Sequence, residues 1–449
     1  MTASSKLYNN LLLLLFTAWL TYCSCLVASS KFNNSSILCV ETDRDALLHF
    51  KQGSIDNCAI LDDWGHTLDC CQWQGIYCNN QSGHVTGLLL PGSFDCCLEG
   101  TLSVSLLKLK HLKYLDLSYN NFTEALPKFI GSLASLEILD LSNAGFTGVI
   151  PQEIGNLSRL TALGLNNENS FDHFNLRAES LGWLSRLRLI REIDLSYVDL
   201  SATANTWLSI VNNLPFLREL HLDNCRLSLN SPPSLSYVNS STTLGILSLV
   251  YNNLNDTSIF EWLLNLNGLE TSLTYLDLSG NDQMFGNNLQ LSKSSMKRLD
   301  NLCSLQTLGL TDTNLNYKFS EIIQSFSTCP QKELVSLELS ENNVWGSISD
   351  NIGAFSLLSV LELNYNQLNG TISQSLGKLT MLEGLDLSGN SLNGTLTKAH
   401  LSNLSKLRYL ILYPNTKNIV VNISADWIPP FQLDQLILNS CKIGPHFPR

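Results

Sequence analysis

Leucines recur at a fixed spacing from about residue 85 to the end of the chain. Leu112, Leu115 and Leu117 are followed by Asn120, and the same leucine spacing begins again at Leu136, 24 residues after Leu112. Apolar residues two positions apart point to one side of an extended strand, and the residues between them point to the other side. Each copy of the pattern therefore predicts one short strand whose leucines face the interior.

Further copies of the same pattern fill most of the remaining chain. They begin at Leu160, Ile190, Leu217, Leu244, Leu273, Leu305, Leu334, Leu358, Leu382, Leu407 and Leu433, with a weaker copy at Val85. A single coil cannot bury its own leucines, so each coil must stack on its neighbours. We therefore predict an α/β-type solenoid over residues 85–449, made of about 14 repeats with the last one incomplete.

A polar residue eight positions after the start of many copies predicts a structural role. An asparagine there can bond backbone groups where the chain leaves the strand. The asparagines at this position are Asn120, Asn252, Asn281, Asn342, Asn366, Asn390 and Asn415. Cys225 and Cys441 occupy the same position, and we interpret both as small packed side chains and not as metal ligands.

Residues 39–78 form a module that differs from the repeats. The segment from Thr42 to Asp45 is predicted to cap a helix, whose apolar side would be formed by Ala46, Leu47 and Phe50. Such a module is needed at the end of a solenoid, because the first coil otherwise exposes its leucines to water.

Two motifs resemble a known family. Gly148-Val-Ile150-Pro151 and similar segments resemble the plant extracellular class of leucine-rich repeat. Cys70-Cys71-Gln-Trp73-Gln-Gly75-Ile-Tyr77-Cys78 resembles the N-terminal cap of plant leucine-rich-repeat receptors and of polygalacturonase-inhibiting proteins. The resemblance implies a curved horseshoe with a parallel concave β-sheet, a short second sheet and an irregular or 3-10 convex side. It also implies an N-terminal disulfide module over residues 29–84.

The same resemblance implies that Cys39 pairs with Cys70 and that Cys71 pairs with Cys78, although spacing alone does not fix the connectivity. Cys303 and Cys329 each precede the start of a consecutive copy, and stacking predicts a further disulfide between them. Three cysteines remain near the N-terminus, and their pairing stays open: Cys58, Cys96 and Cys97.

The N-terminus and the composition indicate secretion. Lys6 precedes an apolar segment from Leu11 to Leu20, and small residues follow, which predicts a signal peptide over residues 1–28 with cleavage near Ala28. A membrane anchor is the alternative, but the apolar segment is shorter than the ~20 residues that a span requires. No later apolar run reaches that length, so we expect no membrane span in the mature chain.

Thirteen cysteines fit an oxidising compartment, and the chain also contains glycosylation sequons. The candidate glycosylation sites are Asn33, Asn34, Asn80, Asn121, Asn156, Asn239, Asn255, Asn369, Asn393, Asn403 and Asn422.

The net charge and the motif content disfavour several classes of function. A net charge of −12 disfavours nucleic acid and anionic membrane surfaces as partners, because both select basic patches. No common catalytic or nucleotide-binding motif occurs, so neither an enzyme nor a cofactor is expected. The N-terminal cysteines have neither a neighbouring histidine pair nor a C-x-x-C motif, so no metal site is expected.

The irregular middle of the array is the predicted binding region. From Leu160 to Leu334 the copies start 27 to 32 residues apart, and such insertions map to one face of a solenoid. Polar and aromatic groups on a rigid concave face suit the recognition of a protein or peptide. The predicted ligand-binding residues are Glu192, Glu219, His221, Asp223 and Tyr275. Sequence drift in a tolerant repeat, without any ligand contact, is the alternative.

The family resemblance implies an extracellular receptor-like protein that lacks a kinase. Such proteins recognise microbial or developmental signals and act through a co-receptor kinase. One alternative is a soluble inhibitor of a secreted microbial polygalacturonase. Another is a truncated product without function, since the chain ends at Arg449 inside a repeat. We expect a secreted protein, or one at the plasma membrane if the native product carries a C-terminal span.

Overall fold

The computed structural model describes residues 38–93, 95–168, 174–204, 206–228, 243–254, 259, 262–263, 272–281, 302–327, 329, 332–415, 418–424 and 426–444. The predicted signal peptide and the sequons at Asn33, Asn34, Asn239 and Asn255 lie outside these residues. The chain divides into two compact units at residues 169 and 170. None of the described helices is both long and apolar enough to cross a bilayer.

The N-terminal unit begins with helix α1, Glu41–Gly53. Val40 is its N-cap, and no side chain makes a capping bond. The predicted capping role of the segment beginning at Thr42 is therefore wrong, because the helix starts before it. Asp43 is buried instead, and its Oδ2 accepts hydrogen bonds from the Val85 amide at 2.9 Å and lies 3.1 Å from Nδ1 of His84. This carboxylate ties the helix to the first repeat.

The strands of this unit are β1 (Ser54–Asp56), β2 (Ile76–Cys78), β3 (Val85–Leu89), β4 (Leu98–Gly100), β5 (Tyr114–Asp116), β6 (Ile138–Asp140), β7 (Gly148–Val149) and β8 (Ala162–Gly164). Strands β3, β5, β6 and β8 follow one another as parallel neighbours, and β2 pairs antiparallel with β3. The 3-10 helices are Cys70–Gln72, Val104–Lys108, Lys128–Ser132 and Gln152–Asn156.

In the C-terminal unit, the main parallel sheet contains β10 (Glu192–Asp194), β11 (Glu219–His221), β12 (Ile246–Ser248), β13 (Tyr275–Asp277), β14 (Thr307–Gly309), β15 (Ser336–Glu338), β17 (Val360–Glu362), β19 (Gly384–Asp386), β21 (Tyr409–Ile411) and β23 (Gln435–Ile437). Each strand pairs with the next in parallel, in that order.

A second set of short strands runs beside the main sheet. It comprises β16 (Trp345–Gly346), β18 (Gln367–Thr371), β20 (Ser391–Leu396), β22 (Ile419–Val421) and β24 (Lys442–Ile443), all parallel neighbours, while β9 is Leu176–Arg177. The described part of this unit contains helices α2 (Trp207–Val211), α3 (Phe319–Ser327) and α4 (Lys398–Leu401), with 3-10 helices at Gly182–Arg186, Ser201–Thr203, Asp350–Ala354 and Gln374–Lys378. The predicted solenoid with a parallel sheet, a short second sheet and 3-10 segments is confirmed.

The predicted asparagine role is also confirmed. Asn366 donates from Nδ2 to the carbonyls of Leu339 and Leu363 at 2.7 and 3.2 Å, and its Oδ1 accepts the Val344 amide at 2.9 Å. These bonds join consecutive coils through backbone groups that are buried from water. The same pattern recurs at Asn120, Asn252, Asn281, Asn342 and Asn390, whereas Asn415 is exposed and donates to the Gly389 carbonyl at 3.0 Å.

Disulfides join Cys39 to Cys70 and Cys71 to Cys78, the pairs that the resemblance implies, and also Cys303 to Cys329. The structure further pairs Cys58 with Cys96, which the sequence left open. Among the described cysteines, those outside disulfides are Cys97, Cys225 and Cys441. Cys225 is fully buried, as interpreted from its position, whereas Cys441 is only half-buried.

Candidate ligand-binding face

The first and third residues of strands β10 to β23 in the main sheet lie between the buried leucines and form the surface that we call the strand face. The middle residues, such as Leu220, Leu247 and Leu337, are fully buried in the core. The strand face carries every ligand-binding residue predicted from the sequence except Asp223, which lies two positions after strand β11.

Several strands end in an aspartate whose carboxylate closes a local turn. Oδ1 of Asp194 accepts the backbone N–H of Ser196 at 2.9 Å, and Asp386 accepts that of Ser388 at the same distance. Such a bond satisfies a carboxylate and a backbone amide together. The recurring Asp-Leu-Ser triplets therefore have a structural role in this fold.

The repeat of strand β11 departs from this turn, because His221 stands at the aspartate position and Asp223 at the serine position. Asp223 accepts hydrogen bonds from the next repeat, from Ser248 Oγ at 2.6 Å and from the Val250 amide at 2.8 Å. Burial raises the pKa of Asp223 to about 7, although both hydrogen bonds oppose the shift. Ser248 replaces the aspartate of its own repeat, so Asp223 supplies the carboxylate that this neighbouring repeat lacks.

Glu192 and Glu219 are direct neighbours on strands β10 and β11. Burial, and then the charge of Glu192, raises the pKa of Glu219 to about 7, while Arg218 opposes the shift. His221 is paired with Asp194 on the same two strands; burial lowers the pKa of His221, and Asp194 opposes that change. These ionisable groups form a cluster on adjacent strands, and we call Glu192, Glu219 and His221 the central cluster.

Tyr275 lies apart from the central cluster, on strand β13, with β12 between it and β11. Its side chain is 7% exposed, and its hydroxyl donates to Oδ2 of Asp277 at 3.4 Å. Tyr275 therefore presents little surface to a ligand. The structure brings four of the five predicted residues together on or beside β10 and β11 and separates the fifth.

Two glycines replace the strand-ending aspartate, and packing explains both. A Cβ atom on Gly309 would lie 2.4 Å from Oδ1 of Asp277, and one on Gly164 would lie 2.7 Å from Oδ1 of Asp140. Each of these aspartates belongs to the preceding strand. Each glycine therefore leaves room for the carboxylate of its neighbour, and its presence does not require a ligand.

Sequence reasoning missed a row of carboxylates farther along the strand face. Glu338, Glu362 and Asp386 end strands β15, β17 and β19 and are direct neighbours; we call them the acidic row. Burial raises the pKa of Glu338 to about 7, and burial followed by repulsion from its two neighbours raises that of Glu362 to about 8. The available signal was glutamate at a position where other repeats have aspartate.

Cysteines of the N-terminal module bring potential metal donor atoms close together. Within the described parts of the chain, the one group of three or more acidic, histidine or cysteine side chains with donor atoms all within 4.8 Å is Cys39, Cys70 and Cys71. Their sulfur atoms belong to two adjacent disulfides, whereas metal binding requires thiolates. This cluster is therefore explained by the disulfides.

Three family models match the chain. Residues 40–79 match the leucine rich repeat N-terminal domain, residues 94–225 match the leucine-rich repeat region, and residues 216–238 match a leucine rich repeat. All three describe repeats or the domain that precedes them.

Two curated relatives are receptor-like proteins of Solanum lycopersicum. Receptor-like protein EIX2 is 38% identical over 358 residues, which cover 72% of this chain and 33% of the relative. Receptor-like protein EIX1 is 34% identical, and its match covers 98% of this chain and 51% of the relative. The chain belongs to the plant leucine-rich-repeat receptor-like proteins. This receptor-like protein spans about a third of the length of the first relative and about half that of the second.

Solved structures share the fold of this receptor-like protein. The crystal structure of PEPR1-AtPEP1 matches with a TM-score of 0.54 and 25% identity, covering 90% of this chain and 62% of the other. A TDR receptor matches with a TM-score of 0.52 and 23% identity, covering 72% and 54%. The second likeness shows the repeat fold alone.

Proposed function

We propose that this receptor-like protein is an extracellular, non-catalytic protein whose strand face recognises a protein, peptide or glycan signal. We further propose that recognition serves plant defence or development and that signalling requires a partner kinase. The relatives named receptor-like proteins and the likeness to PEPR1-AtPEP1 support this proposal.

The observation that carries the proposal is the central cluster. Two glutamates stand side by side on a rigid sheet, and the pKa of Glu219 is raised to about 7 by burial and by Glu192. A ligand that brings hydrogen-bond donors or positive charge to such a pair removes part of the repulsion, which favours the complex over the free protein. His221 on the same strand adds a second polar group for specificity.

The positions of the sequons fit a strand face that stays open to ligands. All described sequon asparagines are exposed, and none lies in the main parallel sheet: Asn80, Asn121, Asn156, Asn369, Asn393, Asn403 and Asn422. Asn369 and Asn393 lie in strands of the second sheet. Glycans at these sites would cover other surfaces and leave the strand face accessible.

A decoy assay tests the proposal. The chain would be secreted from plant cells, purified and added to leaf tissue that gives an oxidative burst in response to fractionated fungal culture filtrate. If the strand face binds the signal, the soluble chain should suppress the burst in a dose-dependent manner. The double variant Glu219→Gln/His221→Ala should not suppress it, whereas Glu179→Gln, which removes a charge from an exposed residue outside the sheet, should act like the unchanged chain.

Other outcomes would contradict the proposal in distinct ways. Equal suppression by the double variant would remove the central cluster from the binding site. Direct inhibition of a purified fungal polygalacturonase by the chain, without suppression of any burst, would instead favour the inhibitor function. A chain that suppresses no response to any fraction and inhibits no polygalacturonase would contradict both functions.

A further inference from the structure

The acidic row places three carboxylates on consecutive parallel strands. Adjacent strands of a sheet lie about 4.8 Å apart, so neighbouring third residues repeat at that distance along the sheet. Glu338 and Asp386 are half-buried, and Glu362 between them is only 9% exposed. The row thus brings three carboxyl groups together where water screens charge poorly, which favours their protonated forms in the free protein.

Glu362 differs from its two neighbours in its hydrogen bonds. Asp386 accepts bonds from the amide and hydroxyl of Ser388 at 2.9 and 2.6 Å, and Glu338 accepts one from the hydroxyl of Ser336 at 2.8 Å. Within the described stretch 332–415, the Glu362 carboxylate accepts no hydrogen bond and forms no salt bridge. A largely buried carboxyl group without a hydrogen-bond partner is poorly solvated, so this side chain can accept a donor from outside the chain.

Two tyrosines lie just after strands of this sheet, Tyr365 three residues after β17 and Tyr413 two residues after β21. The hydroxyls of Tyr365 and Tyr413 are hydrogen-bonded, and their rings meet edge-on with centroids 6.1 Å apart. Tyr365 is 49% exposed, and Asp386 is among the charges that act on its hydroxyl. Carboxylates beside exposed aromatic rings are the combination that binds guanidinium and ammonium groups.

We propose that the acidic row, with Tyr365 and Tyr413 at its edge, is a subsite for an arginine or lysine side chain of a polypeptide ligand. The proposal rests on the proposed ligand-binding function for its biological role. A divalent cation fits less well, because calcium requires six to eight oxygen ligands around one point. The row is linear, and its donor atoms are not among those that meet within 4.8 Å in the described residues.

A defined peptide tests the subsite without knowledge of the natural ligand. The probe is acetyl-Gly-Arg-Gly-Arg-Gly-amide carrying a fluorescent label, and its uncharged match has citrulline in place of both arginines. Binding to the secreted full chain would be measured by fluorescence anisotropy. We expect saturable binding of the arginine peptide and at least about tenfold weaker binding of the citrulline peptide, the loss expected when a charged hydrogen-bonding partner is removed.

Substitutions in the acidic row test whether the arginine peptide binds there. Glu362→Gln should weaken binding of the arginine peptide about tenfold, as should Glu338→Gln, because each removes a carboxyl group that can ionise and accept hydrogen bonds when an arginine side chain lies beside it. The control Glu179→Gln makes the same substitution at an exposed residue outside the sheet and should leave affinity unchanged. Glu362→Gln removes a carboxyl group whose ionisation the fold disfavours, so loss of folding is not expected to obscure the result.

Three results would overturn the proposal: equal binding of the two peptides, equal affinity of Glu362→Gln and Glu179→Gln for the arginine peptide, or stoichiometric calcium binding that displaces the peptide. The last result would make the row a metal site. None of these outcomes depends on the central cluster, which the decoy assay tests separately, so failure of the subsite and failure of the proposed function are distinguishable.

Discussion

Replacement of Glu362 by glutamine should stabilise the protein at neutral and alkaline pH. The residue is 9% exposed, has no hydrogen-bond partner within 332–415, and lies between two other carboxylates. Burial and repulsion raise its pKa from 4.5 to about 8. Glutamine keeps the shape of the side chain and removes the ionisation.

The sign follows from proton binding. Below pH 4.5 the carboxyl is protonated in both the folded and the unfolded state, so no stability is lost. Between pH 4.5 and about 8 the unfolded state releases the proton while the folded state keeps it, so the free energy of unfolding falls as pH rises. Where the folded state holds one proton more than the unfolded state, each pH unit lowers the free energy of unfolding by about 1.4 kcal/mol. The unchanged chain should therefore lose about 3 kcal/mol of stability relative to the variant between pH 5 and pH 8.

Urea unfolding followed by circular dichroism at several pH values measures this difference. The advantage of Glu362→Gln over the unchanged chain should grow steadily from pH 5 to pH 8. Glu179→Gln is the control for a general effect of net charge, and it should show no such growth. If the two unfolding curves of Glu362→Gln and the unchanged chain keep a constant separation across this range, Glu362 does not retain its proton in the folded state and the reasoning fails.

Three other substitutions test the architecture. Asn366→Ala should lower the free energy of unfolding by about 3 kcal/mol or more, because it leaves buried backbone groups without partners; an unchanged urea midpoint would contradict this role. Replacing Cys303 and Cys329 together by alanine should cost about 3 kcal/mol, given the 26-residue separation, and alkylation of both thiols in the denatured, unreduced protein would show that the disulfide is absent. Gly309→Ala should destabilise by about 1–3 kcal/mol through contact with Asp277, and Asp277→Ser should relieve most of that cost in the double variant when thermal melts are compared.

The repeat architecture was predictable because each position in the motif has one physical task. Leucines such as Leu337 fill the interior, and Asn366 bonds backbone groups between coils, so spacing alone indicates both roles. The start of helix α1 was mispredicted, because a cap depends on local backbone geometry that the Thr42 segment does not determine. The Cys58–Cys96 pair was unpredictable for a related reason: three cysteines allow several pairings, and only the folded geometry selects among them.

The candidate site was harder to predict than the fold. A departure from the repeat pattern can reflect ligand binding or a compensating change in the neighbouring coil, and the two look the same in the sequence. Asp223 and Gly309 depart from the pattern, but the structure shows that the neighbouring coil compensates each change: Asp223 bonds the Val250 amide, and Gly309 makes room for Asp277. Such compensation involves residues about one repeat away, so a single motif read by itself cannot reveal it.

Two departures keep carboxyl groups close together, and these identify the surfaces to test for ligands. Glu219 is left beside Glu192, and Glu362 is left between two carboxylates with no hydrogen bond within 332–415. Both cost folding free energy that an uncharged residue would avoid, and at the position of Glu362 an aspartate closing its local turn would avoid it as well. This cost is understandable if a bound ligand relieves it. The two surfaces therefore make the same physical prediction: a partner that supplies positive charge should bind, and neutralising either glutamate should stabilise the free protein while weakening the complex.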